Sequence, residues 1–208
     1  MIGAIFSLLM CYHNVMTKKE EEIPIVEGYQ PEQKTISLLW ANIWSIVLLI
    51  VLGGLYFMLY EYIWNIDWKA FNDSITTILL FSIAIIVGIV VHELIHGITW
   101  IALTGMNFSH LKFGMIKGAV YCHIDVPMVK RHYVIGALTP LLLLGIVPSI
   151  VGLVCGSLFC YLLGLIFTVT AIGDMMIVWK IRKEEPTTLV YDHPSEGGCY
   201  VYRPINNK

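Results

Sequence analysis

Charged residues are scarce in this chain. Only 13% of its 208 residues are Asp, Glu, Lys or Arg, whereas 57% are hydrophobic. The net charge of −2 and the lack of a strongly basic stretch argue against a nucleic-acid partner. A soluble domain of this length uses far less apolar side chain, so the composition excludes an ordinary globular protein. The chain is therefore predicted to be a multi-pass protein of the cell membrane, in contact with the lipid bilayer.

Paired cysteines are also lacking. The five cysteines are scattered, and none stands in a Cys-x-x-Cys pair. This spacing argues against a disulfide scaffold and against a zinc site built from cysteines. No internal repeat is evident either.

Four apolar stretches have the length of roughly 20 residues that the hydrocarbon layer demands of a helix. They cover residues 36–60, 75–103, 133–154 and 156–179. Because no charge separates the last two, these are predicted to form a tight helical hairpin. The chain then divides into an amino-terminal cytoplasmic or interfacial segment (1–35), a four-span membrane domain (36–179) and a cytoplasmic tail (180–208). Residues 1–12 are apolar but too short to span, and we expect an interfacial helix there.

The positive charges predict the orientation. Twelve of the 13 Lys and Arg residues lie in the amino-terminal segment, in the loop between the second and third spans, and in the tail; only Lys69 lies elsewhere. Because cytoplasmic loops carry the excess of positive charge, both termini are expected to be cytoplasmic.

Two short β-prone runs, 111–116 and 119–124, flank Lys117-Gly118 in the loop after the second span. They predict a cytoplasmic β-hairpin, whose edge could receive a substrate segment as an added strand or could simply cover a site. Residues 187–191 and 199–202 of the tail are predicted to pair in the same way. The expected fold class is an all-α polytopic membrane protein with four transmembrane helices and a short hairpin between spans two and three.

The ionisable residues inside the four spans are few, and three of them form one motif. His92-Glu93-Leu94-Ile95-His96 places two imidazoles one helical turn apart, where they can bind one zinc ion with Glu93 beside them as general base. A carboxylate near the middle of a membrane helix costs roughly 2.5 to 3.5 kcal/mol on insertion scales. A lone His would more often be a packing residue, but the whole motif favours a zinc hydrolase.

The fourth of these residues is Asp174. Under the expected topology the second and fourth spans are parallel, and at about 1.5 Å per residue His96 and Asp174 lie at similar heights. Asp174 is therefore predicted as the third ligand, which leaves one position open for water, as in a catalytic zinc site. The alternative is a helix–helix hydrogen bond or a side chain that reaches toward the cytoplasmic interface.

Several short motifs resemble those of a family of small bacterial membrane proteins called putative zincin peptidases, and the resemblance covers residues 33–202. The motifs are His92 to Gly97, Phe113-Gly114, Thr139-Pro140, Gly173-Asp174 and Asp192-His193-Pro194. That family is similar to site-2 proteases, which are intramembrane zinc metalloproteases. The resemblance implies a site-2-protease-like core, with His92, His96 and Asp174 as zinc ligands and Glu93 as the catalytic residue.

The chain departs from the site-2 protease pattern at two places. Thr139 precedes Pro140 with no Asn in the third span, and Asp174 is followed by Met175 rather than Gly. The resemblance therefore extends to the zinc site and not to substrate handling.

Three functions stay open at this point. The first is peptide-bond hydrolysis in a membrane protein or peptide, near the cytoplasmic face, by a zinc-activated water. A catalytically inactive zinc-binding scaffold or regulator is the second, and an ion or proton transporter that uses Glu93 and Asp174 is the third. The transporter is disfavoured because the motif spacing has no use there and inverted repeats are not visible.

Other polar residues have weaker expectations attached to them. Tyr133 and Thr139 are candidates for stabilising an oxyanion. Asp192 and His193 are expected in a surface turn rather than folded back toward the zinc. The three histidines of the loop after span two are expected to be ordinary polar residues: His110, His123 and His132.

Overall fold

The computed structural model describes residues 23–66, 75–116, 119–193 and 196–205. Four helical segments within these ranges are long and apolar enough to cross a membrane: Leu38–Trp64, Ile75–Thr104, Lys130–Val154 and Leu158–Lys180. These helices coincide with the four predicted spans, whose ends differ by a few residues. The interfacial helix expected at 1–12 lies outside the described residues.

The first two spans are single helices, whereas the last two are interrupted. Helices α1 (Leu38–Trp64) and α2 (Ile75–Thr104) are followed by a 3₁₀ turn at Phe108–His110. The third span consists of α3 (Lys130–Pro140), a π-helical turn (Leu141–Ile146) and α4 (Val147–Val154). The fourth consists of α5 (Leu158–Thr170) and α6 (Ile172–Lys180). The π turn begins directly after Pro140, which has no backbone N–H to continue the α-helical pattern.

The third and fourth spans form the predicted helical hairpin. Gly156 turns the chain with φ of 66°, and the Ser157 side chain caps α5 by accepting the Cys160 N–H. Small residues then let the two backbones approach: a Cβ on Gly164 would lie 2.5 Å from the Ser149 nitrogen. Such close contact between small residues is a common way of packing membrane helices.

The described residues contain two small antiparallel sheets. The predicted loop hairpin is confirmed as β2 (Leu111–Ile116) and β3 (Ala119–Ile124). The second sheet has four strands: β1 (Tyr29–Thr35), β4 (Met128–Val129), β5 (Leu189–Asp192) and β6 (Gly198–Pro204). Their order across the sheet is β1-β6-β5-β4.

The expected all-α fold with one hairpin is therefore confirmed only in its four long apolar helices and its mainly helical character, because a four-stranded sheet is present as well. The tail hairpin that the sequence predicts is present as β5 and β6, but β1 and β4 enlarge it into a sheet. The polar strand β1 contains Pro31, which an edge strand tolerates because one side of its backbone is unpaired. The chain is mainly helical, with a sheet that draws on three separate segments.

This sheet lies at one end of the helix bundle. Strand β1 precedes the first span, β4 precedes the third, and β5 and β6 follow the fourth, so these segments meet on the same side. Buried side chains of the sheet and of the adjoining helix ends form the core there: Trp100, Ile124, Met128, Tyr133, Ile181, Val190 and Val201. Large apolar residues along α1 and α2 are exposed instead, as expected where lipid is the solvent.

The packing at Gly164 can be tested by adding a methyl group. Because that Cβ would also lie 2.7 Å from the Gly145 carbonyl oxygen, Gly164→Ala should lower the free energy of unfolding by about 1 to 3 kcal/mol. Gly54→Ala is the control, since nothing lies within 4 Å of its Cβ. Thermal unfolding of both variants in detergent measures the effect, and equal stability of the two would contradict the close helix approach.

Candidate metal centre

The structure brings together three side chains that the sequence analysis singles out as metal ligands. The Nε2 atom of His92 lies 3.2 Å from Asp174 Oδ2, and that of His96 lies 3.6 Å from Asp174 Oδ1. One ligand atom from each residue lies within 4.8 Å of the others. Two ligands about 2.0 to 2.1 Å from a tetrahedral zinc ion are about 3.3 Å apart. The donor set and the two histidine–carboxylate distances therefore fit one zinc ion.

The His96 ring is oriented so that its Nε2 atom can bind a metal ion. Its Nδ1 lies 2.9 Å from the Gly136 carbonyl oxygen, so this nitrogen carries the proton and donates to the carbonyl. In a regular helix that carbonyl would accept the N–H of the fourth residue along, but residue 140 is proline. Pro140 thus leaves an acceptor for the imidazole. Metal-bound histidines commonly have such a partner on the second ring nitrogen.

The other ring of the motif is less constrained. His92 is buried, and its Nδ1 has no hydrogen-bond partner among the described residues. Of the two imidazoles, His96 therefore has the better-defined orientation.

An aromatic stack packs against the His96 ring. Its ring lies 5.4 Å from that of Trp100 at 16°, and Trp100 lies 5.6 Å from Tyr133 at 14°. The Trp100 indole N–H also donates to the Tyr133 carbonyl, 3.1 Å away. A Cβ on Gly136 would lie 2.1 Å from the same indole nitrogen, so glycine is required where α2 and α3 meet.

Glu93 lines a cavity together with His96 and Asp174, and the loop hairpin positions its side chain. Its Oε2 accepts the backbone N–H of Cys122 on β3, at 2.9 Å. The cavity has a volume of about 180 Å³, and the residues lining it include Glu93, His96, Asp174, Tyr121 and Tyr133.

The Cys122 thiol is not part of the ligand group that the described residues form, which consists of His92, His96 and Asp174. Burial raises the pKa of Cys122 to about 12, and the nearby carboxylates of Glu93 and Asp192 act in the same direction.

The expectation of a surface turn at Asp192 and His193 is wrong. Both residues line the cavity, because the β5–β6 hairpin packs across the end of the bundle and directs its turn inward. The Asp192 Oδ1 accepts the Tyr133 hydroxyl at 2.9 Å, and burial raises the pKa of Asp192 to about 7. His193 is buried and accepts the Glu196 N–H through Nδ1. The sequence does contain a signal that these two residues belong to the site, because Asp192-His193-Pro194 is among the motifs that carry the family resemblance.

Two other polar residues that the sequence analysis discusses, Thr139 and His110, do not line the cavity. Thr139 donates its hydroxyl to the Ile135 carbonyl of its own helix, and it is not among the lining residues, so of the two oxyanion candidates only Tyr133 reaches the cavity. His110 pairs with Asp125 at 2.8 Å in the loop.

Comparison with known proteins returned one match. A family model described as "Putative zincin peptidase" matches residues 85–189. The matched range includes Glu93 and all three candidate ligands, but it ends before Asp192. No curated protein and no solved structure matches the chain.

The purified protein is expected to bind one zinc ion per chain. Asp174→Asn replaces a charged ligand by a neutral amide and should weaken zinc binding by at least about 100-fold, more than is usual for a change in an outer-shell partner. Asp125→Asn is the matched control, since that carboxylate pairs with His110 and Lys112 in the loop. Elemental analysis after dialysis against limiting zinc measures the effect. Full zinc occupancy of Asp174→Asn would rule out this ligand set.

Proposed function

Because this chain belongs to the family of putative zincin peptidases, we propose that it is a membrane-embedded zinc metallopeptidase. It hydrolyses peptide bonds of a membrane-associated polypeptide near the cytoplasmic face. The observation that carries the proposal is the meeting of His92, His96 and Asp174 from two spans, with Glu93 on the cavity that His96 and Asp174 also line.

In this proposal His92, His96 and Asp174 hold the zinc ion. Three protein ligands leave a fourth position open, as catalytic zinc sites require. When bound there, zinc would acidify a water molecule and polarise a peptide carbonyl. The helix spacing, the Asp174 distances and the His96–Gly136 hydrogen bond all support this assignment.

Glu93 is proposed as the general base and acid. Its carboxylate accepts the proton of the attacking water and returns it to the nitrogen of the leaving amine, so the proton is conserved over the reaction. The Cys122 N–H holds one carboxylate oxygen, which limits the orientations of the side chain beside the metal ligands.

The substrate is proposed to bind as an extended segment along β3. The Cys122 N–H points to Glu93 and not to Phe113, its partner on β2, so this edge of β3 faces the cavity. A polypeptide added to that edge would present its backbone to Glu93. Only a segment that is unwound from a helix can pair in this way.

The side of the membrane can be tested with reporters. We propose that the end of the bundle that carries the sheet, and with it both termini, is cytoplasmic, since the positive charges concentrate there. Alkaline phosphatase fused after residue 205 should be inactive, and the same reporter inserted after residue 66, between the first two spans, should be active. The reverse pattern would contradict the orientation.

Loss of the Glu93 carboxylate tests the chemistry. Glu93→Gln should lower cleavage by at least about 100-fold, the lower range for general acid–base catalysis, with zinc content unchanged. Glu27→Gln is the control, because Glu27 is exposed and does not line the cavity. Comparative proteomics of membrane fractions should show a polypeptide that is shortened with wild type and with Glu27→Gln only.

One outcome would favour a different function. If zinc is retained but no polypeptide differs in length or abundance between wild type and Glu93→Gln, the chain is a zinc-binding scaffold and not a peptidase.

A further inference from the structure

A partly buried hydrogen bond joins the tail to the third span beside the metal centre. The Tyr133 hydroxyl donates to Asp192 Oδ1 at 2.9 Å. Tyr133 is 2% exposed and lies in the first turn of α3, while Asp192 is the last residue of β5. A carboxylate taken from water is costly unless it is hydrogen-bonded, so this contact links the two segments firmly.

Tyr133 is in turn connected to His96 by two routes. Its ring stacks on Trp100, and Trp100 stacks on the imidazole of His96. The second route runs along the backbone of α3, where Gly136, one turn after Tyr133, accepts the His96 Nδ1–H. A shift of the first turn of α3 would therefore move both the stack and the acceptor that orients the imidazole.

We propose that Asp192 is a positioning residue for the metal centre, which holds Tyr133 and through it sets the orientation of His96. The inference rests on the proposed function only in taking His96 as a metal ligand. It assigns a role to the tail, since Asp192 lies beyond the residues 85–189 that match the family.

The competing explanation is that the charge of Asp192 acts directly on the metal. Three substitutions separate the two. Asp192→Asn removes the charge but keeps an oxygen that accepts the tyrosine hydroxyl. Asp192→Ala removes both, and Tyr133→Phe removes the hydrogen bond but keeps the charge.

The test is a titration of the full-length protein in detergent with Co²⁺, whose visible absorption reports its ligand geometry. Asp192→Ala and Tyr133→Phe should each weaken binding about tenfold and shift the absorption, as outer-shell changes do. Asp192→Asn should stay close to wild type. The double variant Asp192→Ala with Tyr133→Phe should be no weaker than either single variant, because all three lack the same bond.

Tyr202→Phe is the matched control. Tyr202 is 1% exposed in the same sheet and donates its hydroxyl to the Pro24 carbonyl at 2.7 Å. Its loss should lower stability without changing Co²⁺ affinity or absorption.

Several results would overturn the inference. In one such result, Tyr133→Phe binds Co²⁺ as tightly as wild type while Asp192→Asn and Asp192→Ala lose affinity equally. That result would mean that the charge of Asp192, and not its hydrogen bond, affects the metal centre. Wild-type spectra in all of the variants would show that the bond stabilises the fold only. If Asp192→Ala does not fold, comparison of Asp192→Asn with Tyr133→Phe still distinguishes loss of the charge from loss of the hydrogen bond. A wild-type protein that binds neither Co²⁺ nor zinc would instead remove the metal centre, and the proposed function with it.

Discussion

The carboxylate of Asp174 lies between the imidazoles of His92 and His96, and this contact joins the second span to the fourth. These groups stand in helices that are otherwise apolar enough to face lipid. Polar groups at such depth are stabilised only by one another or by something they bind. The third span, the loop hairpin and the tail sheet each add residues to the cavity around these polar groups.

The third span, the loop hairpin and the tail sheet make these contributions by different means. Pro140 leaves the Gly136 carbonyl to accept the His96 ring N–H, and Cys122 on β3 donates its backbone N–H to Glu93. Asp192 reaches the cavity from a strand that follows the last span. The site is thus assembled from five segments of the chain: the second, third and fourth spans, the loop hairpin and the tail sheet. Glycines such as Gly136 and Gly164 permit the close approach on which this assembly depends.

The sequence predicted the features that depend on local pattern. Apolar runs located the spans, β-prone runs around a glycine located the hairpin at 111–124, and the spacing of His92 and His96 placed both on one helix face. Asp174 could be matched to them because helical rise converts sequence position into depth. Strand β1 was missed because its residues are polar and its pairing depends on β6, which is far away in the chain. Asp192 was assigned to a surface turn for a similar reason, since only the packing of the whole hairpin across the bundle directs it inward.

The central claim is that two imidazoles from one span and a carboxylate from another bind a single zinc ion. X-ray absorption at the zinc edge of the purified, zinc-loaded protein tests it most directly. We expect two histidine nitrogens at about 2.0 to 2.1 Å and oxygen ligands at about 2.0 to 2.2 Å, without sulfur. A sulfur shell at about 2.3 Å, or a spectrum without imidazole scattering, would contradict the claim.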